Sequence, residues 1–233
     1  MATGNRRSIL IIGVSRGIGR GLAAEYLRRG WAVIGTVRTQ TPDPALQALA
    51  SGTPGRLRVE QLDMTRPREI AALRQRLARE RLDILLVNAG ISDGNTPVAE
   101  IDEAKFNEVM STNALAPLKV VEALQDLVVE QGTITVMSST QGSISRNHTG
   151  GFEVYRASKS ALNQLMRSDA VRHQGEARTL LLLAPGWVQT ELGGPGAPLT
   201  VEQSVPGVVD TINAHRAAAG LHFLDYQNET VPW

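Results

Sequence analysis

Short apolar runs recur along the chain at residues 9–12, 32–37, 57–62, 84–87, 133–137 and 179–183, with a weaker one at 221–226. Each is of strand length, and most read apolar throughout instead of alternating with polar residues. That pattern suits parallel strands covered on both faces. Longer stretches of helical periodicity separate them, at 18–29, 67–81, 102–129 (interrupted by Pro117), 154–172 and 201–215. Pro67 stands where a first helical position falls, behind Thr65 and Arg66, a place where proline's missing N–H is harmless. Residues 40–56, rich in Pro, Gly and Thr, read as the least structured stretch. The alternation predicts an α/β fold: one doubly wound parallel sheet with helices on both faces, occupying 1–233 as a single domain.

Composition narrows the classes. A chain of 233 residues buries well over half of its unfolded surface and needs no disulfide staple, and it contains no cysteine. A net charge of +1 points to neither a nucleic-acid nor a membrane-surface partner. Residues 1–8 are short and polar, and the most apolar run, 180–183, is far too short to span a bilayer. A soluble, cytoplasmic protein is the expectation. Its basic residues are 21 Arg against only three Lys, at 105, 119 and 159.

The first apolar run ends in Gly13-Val14-Ser15-Arg16-Gly17-Ile18-Gly19, and helical periodicity begins at once. Such a turn lets backbone N–H groups approach a pyrophosphate at a helix N-terminus. The same residues spell Gly13-x-Ser15-x-Gly17, a nucleophile-elbow pattern. Too little chain precedes Ser15 to supply an oxyanion loop, although His173, His215 and His222 are nominal triad partners for Asp169 or Asp210. Cofactor choice is read at the end of the second strand, where an NAD site places an acid ~20 residues beyond the glycines. Here stands Val37-Arg38-Thr39, without a carboxylate. Arg38, with Arg16 from the other side, suits the 2′-phosphate of NADP through charge-assisted contacts.

Tyr155 and Lys159 are four apart in a helical segment, so phenol and ammonium share one face. A free tyrosine titrates near pH ~10 and is a sluggish proton donor or acceptor at neutral pH. A nearby cation favours the phenolate, so Lys159 is expected to lower the Tyr155 pKa. Ser138 and Ser139 end the fifth apolar run, at the strand edge where open α/β sheets bind ligands.

Taken in order, Gly13-x-x-x-Gly17-x-Gly19, Asn88-Ala89-Gly90, Asn113, Ser139, Tyr155-x-x-x-Lys159 and Pro185-Gly186 resemble the short-chain dehydrogenase/reductase family over nearly the whole chain. The resemblance implies a Rossmann fold, an NADP cofactor and a small-molecule carbonyl or alcohol substrate. It implies a catalytic set of Asn113, Ser139, Tyr155 and Lys159. Tyr155 would move the hydroxyl proton and Ser139 would hydrogen-bond the substrate oxygen. Lys159 would hold the nicotinamide ribose, and Asn113 would position a relay water. Cofactor contacts would come from Gly13, Ser15, Arg16, Gly17, Ile18, Gly19 and Arg38. Asp63, with Met64 beside it, would bind adenine, while Asn88, Ala89 and Gly90 would line the cofactor near its ribose. Pro185, Gly186, Val188 and Thr190 would lie at the carboxamide, and Tyr155 and Lys159 would touch the cofactor as well. Pairing of two copies through segments 102–129 and 154–172 would make a homodimer.

Ile12 and Val87 depart from the family's usual Thr and Asn, and neither change removes a catalytic group. The Ser139–Tyr155 spacing of 16 exceeds the family's common 13. The extra length lies in loop 142–151, which is expected to reshape the pocket rim and contains His148. With Trp187 and the terminal Pro232-Trp233, this loop is similar to the C-factor-like and sniffer-like carbonyl reductases. The C-factor likeness admits a second reading, a nucleotide-binding signalling protein with little turnover. Residues 192–200, rich in Gly and Pro, read as a mobile lid.

Overall fold

Parallel strands cannot be joined by hairpins, so each strand of this chain is followed by a crossover that returns to the same edge. The computed structural model describes residues 6–39 and 43–233. Its first half runs β1 (Ser8–Ile12), α1 (Gly17–Arg28), β2 (Ala32–Val37), α2 (Pro44–Gly52), β3 (Leu57–Gln61), α3 (Pro67–Arg76) and β4 (Leu82–Val87). The second half runs α4 (Glu103–Met110), a π-helical turn (Ser111–Leu115), α5 (Ala116–Leu124), β5 (Val128–Met137), α6 (Glu153–Arg172), β6 (Thr179–Ala184), α7 (Val201–Ala214) and β7 (Gly220–Asp225). The strands form one sheet in the order β3-β2-β1-β4-β5-β6-β7, and every pairing is parallel.

Period-two geometry splits the apolar strands between two cores. Leu10 and Ile12 of β1, with Leu180 and Leu182 of β6, meet Ile70, Leu73, Val120, Leu162 and Met166 of α3, α5 and α6. Ile9, Ile11, Leu181 and Leu183 point the other way, onto Leu22 and Tyr26 of α1 and Val205, Val208 and Ile212 of α7. Strand order reverses beside β1, so the chain leaves the C-terminal ends of β1 and β4 towards opposite faces and opens the crevice where ligands of such sheets sit.

Four boundaries differ from expectation. Residues 44–52 form α2, because Asp43 caps it by accepting from Ala45 N and Pro44 opens its first turn. Residues 40–42 of that stretch lie outside the described residues. The expected 67–81 helix stops at Arg76, where Leu77 begins a turn that leads back into β4. The expected 102–129 helix ends at Leu124 and is interrupted in the middle. Pro117 has no N–H for the carbonyl of Asn113 four residues back, and its ring would crowd that carbonyl. The wider π turn accommodates both, with Ala116 N bonding Ser111 O five residues back. Residues 128–132 extend β5 in place of helix, and its register against β4 shifts between Leu82 and Ile84.

Candidate active site

The glycine turn is built so that nothing projects into it. Gly13 and Gly17 have φ of +91° and +52°, which side-chain-bearing residues rarely adopt. Gly19 is required by closeness: a Cβ there would lie 1.8 Å from Gly13 O and 2.7 Å from Asn88 Nδ2. Thr36 of β2 holds the turn from one side, its Oγ1 accepting from Gly13 N at 3.1 Å. Asn88, at the end of β4, holds it from the other, donating Nδ2 to Gly13 O at 3.0 Å. The backbone N–H groups of Asn88 and Ala89 both bond Ile12 O at 3.1 Å. Helix α1 starts at Gly17 with no side-chain cap and no acid in its first turn. Its leading N–H groups therefore form a concentrated positive end, in contrast to α2, α4 and α7, which Asp43, Asp102 and Thr200 cap.

Around this turn the expected cofactor residues fall in three groups. Ser15 and Arg16 are exposed on the turn, and Ile18 sits half-buried within α1. Arg16 is ion-paired with Glu191, which joins the turn to the segment after β6. Arg38 is exposed at the end of β2, and its charge acts on Asp63. Burial pushes the Asp63 carboxyl up, but two hydrogen bonds from Thr65 (2.6 and 3.0 Å), with Arg66 and Arg38, outweigh it and hold the pKa low. Met64 beside it is buried in the core. After β6, Gly186 takes φ +83° and Val188 is buried, while Thr190 Oγ1 accepts from Gly193 N at 3.0 Å. Pro185 O accepts from Ser204 Oγ of α7 at 2.6 Å. Residues 192–200 fold back on this base through Trp187 Nε1 to Gly193 O (2.7 Å), Gln189 Nε2 to Ala197 O (2.9 Å) and a Val188–Leu199 bridge.

The Ser139, Tyr155 and Lys159 side chains converge where β5 ends against α6. Ser139 stands beside the Tyr155 hydroxyl, near enough to lower its pKa. Lys159 Nζ lies 5.8 Å from the centre of the tyrosine ring and donates to Met137 O at 3.0 Å. Gly90 brings β4 into the same place: a Cβ there would lie 3.3 Å from Asn113 Oδ1 and 3.5 Å from Lys159 Nζ. Asn113, fully buried on the π turn, donates Nδ2 to Ile91 O (2.8 Å) and Ser158 Oγ (3.0 Å) and accepts from Ile91 N (2.9 Å). Its amide is therefore committed to protein partners.

The electrostatics correct one expectation. Burial dominates at Tyr155 and pushes its pKa up to about 12, against the lowering effect of Ser139. Lys159, 4% exposed, is itself pulled down to about 8 by burial. The lysine does not acidify the phenol in this state, because taking either charge out of water costs more than their separation returns.

The three histidines that are nominal partners for a Ser15 nucleophile lie at the wrong edge. His173 and His215 follow the C-terminal ends of α6 and α7, and His222 lies near the start of β7, opposite the glycine turn. His148 is exposed in loop 142–151. That loop is tied to the C-terminal residues by Ser145 N donating to Trp233 O at 3.2 Å, and just after it Phe152 N donates to Asn95 Oδ1 and Val98 N to Glu153 Oε2, both at 2.7 Å. Sequence reasoning missed Thr36, Ser158 and Asn163, all buried and hydrogen-bonded around the site. For Ser158 and Asn163 the available signal was spacing, since both share α6 with Tyr155 and Lys159.

The family model for short chain dehydrogenase matches residues 7–197. The chain belongs to that family. A short-chain dehydrogenase/reductase from Burkholderia multivorans, solved with bound NADP, is 51% identical and superposes with a TM-score of 0.96 over 98% of this chain and 100% of its own. A carbonyl reductase from Pseudomonas aeruginosa, solved in complex with NADP, is 39% identical with a TM-score of 0.91 over 98% and 100%. C-signal of Myxococcus xanthus is 37% identical over 155 residues, 65% of this chain and 93% of its own. Among the described residues no helix is long and apolar enough to cross a membrane.

Proposed function

We propose that this family member is an NADP(H)-dependent carbonyl reductase or alcohol dehydrogenase with Tyr155 as general acid–base. The observation that carries the reading is the meeting of Ser139, Tyr155 and Lys159 at the strand edge beside an uncapped, glycine-lined helix N-terminus. The cradle fits a dinucleotide: Gly13, Gly17 and Gly19 let the turn close tightly against Ala89, Thr190 and its own backbone, and the uncapped N–H groups of α1 would hold a pyrophosphate. Arg38 and Arg16 would bind the 2′-phosphate, Arg16 exchanging Glu191 for it, with Asp63 at the adenine. Asn88, Ala89 and Gly90 would line the ribose, and Pro185, Gly186, Val188 and Thr190 the carboxamide. Two NADP-bound relatives support the choice of cofactor.

When bound, the nicotinamide supplies or accepts the hydride. The residues of the chain handle the proton. With a pKa of about 12, Tyr155 keeps its proton at neutral pH and is set to donate it to a carbonyl oxygen that Ser139 orients. Lys159 would hold the nicotinamide ribose. Asn113 cannot place a water with an amide already engaged, so its main-chain carbonyl, denied an α-helical partner by Pro117, would take that part. Exposed Leu115, Leu165 and Val171 on the π turn and α6 support pairing of two copies through those helices.

The C-signal likeness supports a second reading, a signalling protein that binds nucleotide. A binding module has no use for a buried, destabilising Lys159, so the enzyme reading stands first. The test is NADPH oxidation against a panel of carbonyls with wild type and Tyr155→Phe. Loss of the acid should lower turnover roughly 10²- to 10⁴-fold while NADPH still binds. Undiminished turnover in Tyr155→Phe would overturn the reading.

A further inference from the structure

Asn163 lies two turns beyond Tyr155 on α6 and is 3% exposed. Its Oδ1 accepts from Ser138 Oγ at 2.6 Å, and its Nδ2 donates to Gly142 O at 3.2 Å. These bonds grip both ends of one short turn, 138–142, and Ser139 stands inside that turn. Ser160, also on α6, adds a second bond to Gly142 O at 3.0 Å. Nothing separates the turn from the helix: a Cβ on Gly142 would lie 2.9 Å from Lys159 Cβ and 3.1 Å from Asn163 Nδ2. Within the turn, Ser139 Oγ accepts from Gln141 N at 3.1 Å, so its direction follows the backbone it caps.

We infer that Asn163 is a positioning residue that sets the distance between Ser139 and Tyr155 by bracketing the 138–142 turn from the helix that carries the tyrosine. The inference rests on the Ser139–Tyr155 chemistry proposed above. Its physical basis is that Tyr155 and the bracket belong to one rigid helix. The serine–tyrosine separation is then fixed inside a single element, instead of depending on how well α6 packs on the sheet. Asn163 reaches neither Ser139 nor Tyr155 with any recorded bond, so it acts entirely through the turn. Removing the amide leaves the Ser138 hydroxyl without its acceptor and Gly142 O with one donor fewer, in a buried place. The turn then relaxes, and displacement of a reacting partner by about 1 Å is enough to cost on the order of 100-fold in rate.

A buried amide that merely satisfies the core would lower melting temperature and leave the folded enzyme's turnover alone. The experiment therefore compares Asn163→Ala, Ser138→Ala and the double variant, with Tyr155→Phe alongside, measuring kcat, KM, NADPH Kd and melting temperature. The expected result is a kcat lowered roughly 10- to 100-fold in each single variant, with NADPH Kd within about twofold of wild type. The double variant should be no slower than the slower single, because both break one bracket. Unchanged kcat in folded Asn163→Ala, or single effects that multiply in the double, overturns the inference. Should Asn163→Ala fail to fold, Ser138→Ala alone decides, and unchanged kcat there overturns it equally. An inactive Tyr155→Phe beside fully active Ser138→Ala and Asn163→Ala would sink this inference alone. An active Tyr155→Phe would sink the proton chemistry and the bracket with it.

Discussion

Replacing Lys159 by Met tests how far the site is held against its own electrostatics. The side chain is 4% exposed, and burial pulls its pKa from 10.5 to about 8. A depression of about two and a half units corresponds to about 3 kcal/mol of destabilisation wherever both folded and unfolded lysines are charged. Between about pH 8 and 10.5 the unfolded chain still binds the proton that the folded protein has released. Stability therefore rises with pH across that window, and below it the full penalty applies. Raising the pH from ~7 to ~9.5 should recover about 2 kcal/mol in the wild type and nothing in Lys159→Met. Methionine keeps the length and apolar packing of the side chain and removes only the ammonium, with its bond to Met137 O. Tyr26 and Tyr155, both pushed up by burial, oppose the trend above about pH 10, and they do so equally in both proteins. Urea unfolding followed by circular dichroism at the two pH values gives the difference directly. Parallel pH dependence in wild type and Lys159→Met would refute the claim that Lys159 is held in a strongly desolvated place.

Gly19→Ala should lose both stability and cofactor binding, because its Cβ would meet Gly13 O at 1.8 Å and force the turn open. The check is a thermal melt with and without NADPH, and a wild-type upshift on adding cofactor would contradict it. Arg38→Asp should move preference from NADPH towards NADH by roughly tenfold or more, the scale of one hydrogen bond to a charged group. Competition titrations with the two cofactors measure it, and unchanged preference would remove Arg38 from the phosphate site.

The inner strands β1, β2, β4 and β6 were legible because parallel strands buried on both faces leave apolar runs, whereas the edge strands β3 and β7 gave weaker signals. β5 was legible only from residue 133, because Glu130, Gln131 and Gly132 at its exposed beginning break the run. Helix α2 was overlooked for the opposite reason: its Pro and Gly were weighed as composition, although Asp43-Pro44 is a helix-start signal in its own right. The proposed catalytic pair was readable as spacing, since Tyr155 and Lys159 share one helix. The sign of the Tyr155 shift was not, because it depends on how deeply both groups are buried, which no spacing reveals. Asn163 was legible only as a neighbour of Tyr155 on α6, and its part as a bracket was not. A lone amide on a helix reads as solvated, and only the closeness of Gly142 to α6 makes it an internal bracket.

Several departures from local rules gather at the site. Two left-handed glycines, an uncapped helix N-terminus, a π turn before Pro117 and a charged lysine almost out of reach of water all face the crevice at the C-terminal ends of β1, β4 and β5. Each opposes folding. Local rules are broken elsewhere too, since α3 and α6 also start without a side-chain cap and Phe152 and Ala217 take positive φ, while Asp43, Asp102 and Thr200 cap α2, α4 and α7. A protein that only held a nucleotide would need the first two of these features. The π turn and Lys159 serve no pyrophosphate; they set the Asn113 amide and the ammonium beside Gly90, with Lys159 one helical turn from Tyr155. That excess over what binding requires is the physical argument for turnover. It also ties the bracket at Asn163 to the chemistry, because a strained site keeps its geometry only where the surrounding bonds over-determine it.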